Sequence, residues 1–319
     1  MRLFGFQEKN NKQKIYFLGI PIFKIKKINE KKEYYLLGIK IFENKDYFSI
    51  LENKIDDLKY NLPIQIQAPY VHNYLKKYRN CNLGKSLAII SCGPTSNYYS
   101  PINNAKHLSI NKAVLFEKIK FDYCFLTDKY TTTDTNEIVD NYKIENCEKF
   151  YCLIPERRFK QIKGLPNAAQ IPMMNYLNSD ANLLLLEDIV AHKWARELSF
   201  EPLGDFEGTI YSALQFALYT HPKKIYLVGC DETLGGGYFF DKPQFDVKIN
   251  EYARNIYEKF KQFSDYEYPD IEIISVNPIG LRGLFKDVYT KEFLENVPEI
   301  KKQLGSDVQI LDNNEVGNV

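Results

Sequence analysis

The sequence predicts a Rossmann-like α/β fold: a mostly parallel sheet with helices on both faces, preceded by a small β and helical region. Three observations predict it. From Lys85 onward, strand-like apolar runs alternate with helical stretches. The run that begins at Ser86 is continuously apolar, which is typical of a parallel strand covered on both faces. Residues 1–45 instead contain a repeated pair of short β-type segments.

The core elements follow in order. The predicted strands are six apolar runs, each closed by polar or glycine-containing residues: 86–95, 105–113, 121–130, 149–155, 223–231 and 271–278. Helical spacing occurs in DIVAHKWARELSF (188–200), which contains His192, in an amphipathic stretch over 208–221, and over 245–263. His221 is therefore expected at a helix C-terminus, where a cation is favoured.

The region before the core contains the repeat. YFLGIPIFKIKK (16–27) is echoed by YYLLGIKIFENK (34–45), and together they predict a β-hairpin whose first strand carries Lys24, Lys26 and Lys27. Such a hairpin either packs on the main domain or docks on a membrane surface or partner, since basic residues beside apolar ones suit that use.

The segment that follows the repeat, 46–85, has helical spacing. We therefore expect three regions: an appendage over 1–85, a nucleotide-binding core over 86–290, and a short helix with a disordered polar tail over 291–319.

Composition excludes several classes of protein. The net charge of +1 gives no overall attraction to nucleic acid or to an anionic membrane. No apolar run reaches the length of a membrane span, and the polar N-terminus is unlike a secretory signal. The six cysteines show no CxxC or zinc-finger spacing, so we expect reduced thiols in a cytoplasmic protein, with peripheral contact at the inner membrane left open.

Ligands of such sheets bind beyond the carboxyl ends of the strands. That rule selects Cys92–Ser96, Asn111, Thr127–Asp128 and Cys230–Tyr238. In the first of these loops, Gly93 permits close backbone approach to a ligand. The loop lacks both the dinucleotide fingerprint and a Walker lysine, and Pro94 has no N–H, so a simple turn is the alternative.

Carboxylates follow two of the strands. Asp231 and Glu232 form a pair after one, and Asp128 follows another. Such groups suit base catalysis or metal binding. The plainer interpretations are a solvated turn for the pair and a helix N-cap for Asp128. Farther along, LGGGY ends in Tyr238, which is placed to close over a base or a phosphate.

Together these loops resemble the bacterial sialyltransferases of glycosyltransferase family 42 and the related flagellin-glycosylation and MptE-like families. The resemblance rests on Gly93-Pro94-Thr95, Asn111 in SINK, Gly208 before a helix that leads to IYLVGCD, and Tyr238 in GYFFD. It implies a GT-A-like variant of the Rossmann fold and transfer of sialic acid from a CMP-linked donor without metal. The implied nucleotide-binding residues are Cys92, Gly93, Pro94, Thr95, Ser96, Asn111, Gly208, Thr233 and Tyr238.

The chain also departs from that pattern. Cys92, Asp128 and Glu207 stand where the family has asparagine, asparagine and serine, and a first donor-phosphate tyrosine is replaced near Thr233. No histidine follows His221, so the family's catalytic histidine is missing, and Asp128, Asp231 and Glu232 become the candidate bases.

We expect a nucleotide-sugar-dependent glycosyltransferase of bacterial surface glycan synthesis, such as lipooligosaccharide or capsule. Its partners would be a nucleotide-sugar donor and a glycan acceptor, with homo-oligomers open. The alternatives are a Mg²⁺-dependent phospho-group or pyrophosphate transferase and a degenerate protein that binds a nucleotide or glycan.

Overall fold

The computed structural model describes part of the 319-residue chain: residues 4–9, 12–17, 20–28, 31–36, 39–42, 65–126, 147–153, 182–187, 193–204, 206, 208–234, 237, 248–304 and 308–312. Its contacts divide the chain into two compact units, Met1–Gln67 and Ala68–Val319.

The first unit contains an antiparallel sheet of five strands in its described residues. The strands pair in sequence order: β1 (Phe4–Lys9), β2 (Lys12–Phe17), β3 (Ile20–Ile28), β4 (Lys31–Leu36) and β5 (Ile39–Phe42). The antiparallel pairing agrees with the prediction, but the count of two strands was wrong. Each predicted strand covers parts of two antiparallel strands: 16–27 covers the end of β2 and most of β3, and 34–45 covers the end of β4 and all of β5.

The second unit contains a sheet of nine strands in its described residues. They are β6 (Ser86–Ile90), β7 (Lys106–Ile110), β8 (Tyr123–Leu126), β9 (Glu148–Leu153), β10 (Asn182–Glu187), β11 (Leu203–Gly204), β12 (Lys224–Val228), β13 (Glu272–Val276) and β14 (Lys286–Val288). The spatial order is β11-β10-β9-β8-β7-β6-β12-β13-β14, and every neighbouring pair is parallel. The predicted α/β sheet is therefore confirmed.

The central strands are buried on both faces, as their continuous apolar runs predict. In β6, Leu87 and Ile89 pack into one apolar cluster, whereas Ala88 and Ile90 pack into the other. Successive side chains of a strand point to opposite faces, so these two clusters are the cores on the two sides of the sheet.

The longest described helices are α1 (Thr209–Thr220) and α2 (Glu251–Glu267), followed by the short α3 (Lys291–Asn296) and α4 (Pro298–Leu304). Residues 65–71 are also helical. The prediction of an amphipathic α1 was wrong, since all twelve of its residues are buried. Its one large polar side chain, Gln215, is accommodated by hydrogen bonds to the backbone of Ala195, Gly204 and Tyr211.

Other predictions need correction too. The stretch 188–200 was predicted to be helical, but residues 193–200 form turns and irregular structure; His192 lies outside the described residues. Trp194 there is buried against Phe206, with ring centroids 3.9 Å apart, so packing rather than helical spacing sets its position. The sequence interpretation also missed β10, β11 and β14.

His221 caps the C-terminus of α1, as predicted, in the left-handed conformation. The polar tail after residue 312 lies outside the described part of the chain. In that part, no helix has both the length and the apolar character needed to cross a membrane.

Candidate functional site

The strand order places a reversal at the centre of the sheet. After β6 the chain adds β7 through β11 on one side, then returns to add β12, β13 and β14 on the other. Open parallel sheets bind ligands beyond the carboxyl ends of the strands at such a reversal. The loops that leave β6 and β12, together with the adjacent end of β7, therefore form the candidate site.

The loop after β6 is attached to the end of β12 by backbone hydrogen bonds. Ser91 N–H donates to the Val228 carbonyl at 2.8 Å, and Gly93 N–H donates to the Gly229 carbonyl at 3.0 Å. A Cβ atom on Gly93 would lie 2.4 Å from both the Gly229 oxygen and Asp231 Oδ2. Glycine is required at position 93 because the two loops touch there.

Asp231 joins the same two loops through its side chain. It is 6% exposed, and it accepts hydrogen bonds from the Thr95 N–H at 3.1 Å (Oδ2) and from the Thr95 hydroxyl (Oδ1). Burial raises the pKa of the Asp231 carboxyl to about 6, although both hydrogen bonds from Thr95 lower it. The observed interactions of Asp231 hold the first loop in place.

Glu232 has a different environment from its neighbour. Its backbone is left-handed, with φ of +46°, and its carbonyl accepts a hydrogen bond from Asn250 N–H at 2.9 Å. Burial raises the pKa of its carboxyl, the Tyr257 hydroxyl lowers it, and the charge of Asp231 raises it further. Non-glycine residues held at positive φ are uncommon and cluster at functional sites.

Tyr257 lies on α2 and is fully buried. Its Oη forms no hydrogen bond of good distance and angle among the described residues, but it lies near enough to the Glu232 carboxyl to lower the pKa of that group. Sequence analysis missed Tyr257 because it belongs to the apolar face of α2, with Ala253, Ile256 and Phe260, where an aromatic residue indicates only core packing.

The end of β7 contacts the start of α1. Asn111, also at positive φ, donates from Nδ2 to Thr209 Oγ1 at 3.0 Å. The Cys92 thiol donates to the Ile110 carbonyl at 3.3 Å, which connects the β6 loop to the same place. Gly208 is the N-cap of α1, and the first turn of that helix contains no acidic residue. Helix N-termini of this kind favour anions.

The structure thus brings several sequence-predicted residues together: Cys92, Gly93, Pro94, Thr95, Ser96, Asn111, Gly208, Asp231, Glu232 and Thr233. Pro94–Ser96 lie in a short 3₁₀ helix, and Ser96 Oγ donates to the Gly93 carbonyl at 2.7 Å. Thr233 forms a β-bridge with Ile249. Asp128 and Tyr238 lie outside the described residues, as do Thr127 and Glu207.

Gly280 is a site residue that sequence analysis did not select. Its N–H donates to the Asp231 carbonyl at 2.9 Å, and a Cβ atom on it would lie 2.5 Å from the Glu232 carbonyl. The turn after β13 therefore packs against the two acidic residues.

Among the described residues, no three histidine, cysteine, aspartate or glutamate side chains form a group able to hold a metal ion.

Comparison with known proteins gives only distant similarities. No family model matches the chain, and no curated protein matches it. Solved structures that are similar include a sialyltransferase and a second glycosyltransferase. The sialyltransferase CstII from Campylobacter jejuni, solved with the substrate analogue CMP-3FNeuAc, has 14% identity and a TM-score of 0.38, over 74% of this chain and 89% of that one.

The second is the MAf glycosyltransferase from Magnetospirillum magneticum AMB-1, with 11% identity and a TM-score of 0.40, over 80% of this chain and 39% of that one. Similarity at this level indicates at most a related arrangement of strands and helices.

Proposed function

We propose that the protein is a glycosyltransferase that uses a nucleotide-sugar donor, CMP-linked as first choice, to build a bacterial surface glycan such as lipooligosaccharide or capsule. The supporting observation is the hydrogen bond from Asn111 to Thr209, which joins the end of β7 to the start of α1. With the Gly93 loop, these are segments whose motifs resemble the sialyltransferase family.

Donor binding in this proposal uses the carboxyl edge of the sheet. The nucleotide lies against the Gly93–Ser96 loop and Asn111, and its phosphate lies near the N-terminus of α1, whose first turn contains no acidic residue. Tyr238 steadies the leaving phosphate, in line with the role of the matching tyrosine in the family that the motifs resemble.

The chemical step breaks the bond between the sugar carbon and the donor phosphate oxygen and forms a bond from that carbon to an acceptor hydroxyl oxygen. The hydroxyl proton passes to a carboxylate, and the nucleotide leaves with its phosphate. Glu232 is the favoured base, because burial raises the pKa of its carboxyl and an acceptor proton transfers best to a base with pKa near the working pH. Both Asp231 oxygens are already bonded to Thr95, and Asp128 remains a second candidate.

The first experiment measures thermal unfolding with CMP, CDP, UDP, GDP and ATP, each with and without Mg²⁺. A ligand that binds only the folded protein, at about 100 times its Kd, stabilises it by about 2.7 kcal/mol, a rise in Tm of roughly 5–10 °C. We expect CMP to raise the Tm regardless of Mg²⁺. No shift with any nucleotide would contradict the proposal.

The second experiment tests the base. Glu232→Gln should lower kcat roughly 10²- to 10⁴-fold with the donor identified by the panel, while the Tm and the CMP shift stay near wild type, because the amide is isosteric but cannot take the proton. Glu251→Gln, an exposed change at the start of α2, is the matched control. Wild-type turnover in Glu232→Gln would exclude this role.

The alternatives give distinct results in the same assays. A shift that needs both Mg²⁺ and a diphosphate or triphosphate would favour a metal-dependent phospho-group transferase. Binding without turnover across a panel of sugar donors would favour a protein that only binds the nucleotide or glycan.

A further inference from the structure

The N-terminal antiparallel sheet concentrates positive charge. Residues 4–42 contain nine lysines and three glutamates, although the whole chain has a net charge of only +1. The pairing register puts Lys14 directly opposite Lys24, and Lys12 directly opposite Lys26. Residues two apart along a strand share a face, so these two rows of lysines lie on the same face of the sheet.

The rows extend beyond the central pair of strands. Gln7 and Tyr35 lie opposite Lys14 and Lys24, and Lys40 lies opposite Tyr35. The described side chains agree with this register: Tyr16 Oη donates to Gln7 Oε1 at 2.9 Å, and Lys24 Nζ lies 4.9 Å from the centre of the Tyr35 ring. We call this surface the lysine face and define it by its described side chains: Gln7, Lys12, Lys14, Tyr16, Lys24 and Tyr35.

This arrangement opposes the stability of the sheet. Like charges directly opposite each other on neighbouring strands are destabilising. Within the described strands, Lys12, Lys14 and Lys24 form no ion pair that would offset the repulsion; Lys26 has Glu33 opposite it in the register. Facing lysine pairs such as Lys14 and Lys24 lower the stability of the sheet, so their presence indicates that the positive charge has a function.

The chemistry of the lysine face favours one kind of partner. Strands are about 4.8 Å apart and alternate residues about 6.8 Å apart, so the lysines form a closely spaced array on one sheet face, which suits a surface of many phosphate groups. Single-stranded nucleic acid instead needs a groove with open aromatic faces for stacking, and Lys24 already covers one face of Tyr35. Tyrosine beside lysine is also common at membrane interfaces.

We propose that the lysine face docks the protein on the surface of an anionic lipid bilayer. Clusters of lysine near such a surface gain electrostatic attraction to the lipid headgroups. The lipid phosphates also relieve the repulsion between Lys14 and Lys24. This inference does not depend on the proposed enzymatic activity.

The test is co-sedimentation of the full chain with vesicles of phosphatidylcholine, with and without phosphatidylglycerol. We expect binding only to vesicles that contain the anionic lipid, and loss of binding at about 1 M salt, where charges are screened beyond about 3 Å. The triple variant Lys12→Gln/Lys14→Gln/Lys24→Gln should bind roughly 100-fold more weakly, since each lysine near the surface contributes a factor of about five.

The matched control removes three lysine charges from the second unit instead of the lysine face. Lys120, Lys223 and Lys259 are exposed in the second unit, and the triple change of these three to glutamine should leave vesicle binding within about twofold of wild type, because none of them belongs to the lysine face. Circular dichroism and thermal unfolding establish that both variants are folded.

Three results would overturn the proposal. They are equal binding to neutral and anionic vesicles, equal loss of binding in the two triple variants, or tighter binding to single-stranded DNA than to anionic vesicles. The salt dependence of the wild type keeps the test decisive even if the Lys12/Lys14/Lys24 variant does not fold.

Discussion

The two sheets of this protein differ in how deeply their strands are buried and in how much charge they carry. In the parallel sheet, β6 and β12 are buried on both faces, and backbone hydrogen bonds join the loops that follow these two strands. In the N-terminal sheet, one face carries lysines opposite lysines, with Lys12 exposed and Lys14 and Lys24 half-buried. A single added methyl group at the contact between the β6 and β12 loops should therefore destabilise the parallel sheet. Replacing charged lysines by neutral residues should leave the N-terminal sheet folded.

The largest effect is expected at the contact between the β6 and β12 loops. Gly93→Ala should reduce the free energy of unfolding by about 3 kcal/mol, because the new Cβ would lie 2.4 Å from Asp231 Oδ2 and from the Gly229 oxygen. Urea denaturation measures this. Gly283→Ala is the control: it has positive φ but nothing within 4 Å, so only strain of about 1 kcal/mol is expected. Equal losses in the two variants would show that the contact is not tight.

The next effect is a pH dependence carried by Asp231. Its pKa is about 6 in the fold, above the ordinary value of 3.8, so the folded state holds the proton more tightly than the unfolded state. The wild type should therefore lose up to about 3 kcal/mol of stability relative to Asp231→Asn as the pH rises from about 4 to above 6. Urea denaturation of both proteins across that range measures the difference.

The pH dependence of the wild type must be compared with that of Asp231→Asn, because titration of His72 changes the stability with pH in the opposite direction. Burial lowers the pKa of His72 to about 4, so its contribution to stability falls as the pH drops from about 6.5 to 4. The His72 contribution cancels in the difference between wild type and Asp231→Asn. A difference that does not change with pH would mean that the pKa of Asp231 is ordinary.

A smaller effect is expected at Thr95. Thr95→Val keeps the shape and the backbone N–H but removes the hydroxyl that donates to Asp231. We expect a loss of about 2 kcal/mol, because a buried carboxylate loses a donor. Thr220→Val is a matched control, since that buried hydroxyl donates to the uncharged Ala217 carbonyl, and it should cost about 1 kcal/mol. A cost at Thr95 no larger than at Thr220 would contradict the assignment of Asp231 as the anchor of this loop.

The smallest effect is expected in the N-terminal sheet. Lys14→Gln with Lys24→Gln should be neutral or should stabilise the sheet by up to about 0.5 kcal/mol, because it removes two like charges that face each other. Hydrogen exchange of the β2 amides in the full chain measures this. Lys106→Gln in the parallel sheet should destabilise instead, by up to about 1 kcal/mol, since Lys106 Nζ pairs with Asp122 Oδ1 at 2.5 Å. Faster exchange in the double variant would show that the lysines stabilise the sheet.

The sequence alone predicts the α/β class and six parallel strands, because strands buried on both faces need continuous apolar runs that are visible without any tertiary information. It also selects Gly93, Asn111 and Asp231, since strand ends in such a sheet lie at one edge. It fails for α1 and for residues 193–200, where burial against neighbouring elements overrides local spacing.

Only the tertiary structure decides what the neighbouring acids do. Asp231 and Glu232 are equivalent in the sequence, yet one is bonded to Thr95, 136 residues away, and the other lies near Tyr257 in a left-handed turn. Likewise, the lysines of residues 4–42 become rows only through the register of β2 and β3. Residue type and periodicity are local properties, whereas hydrogen-bond partners, desolvation and charge spacing depend on which distant segments the fold brings together.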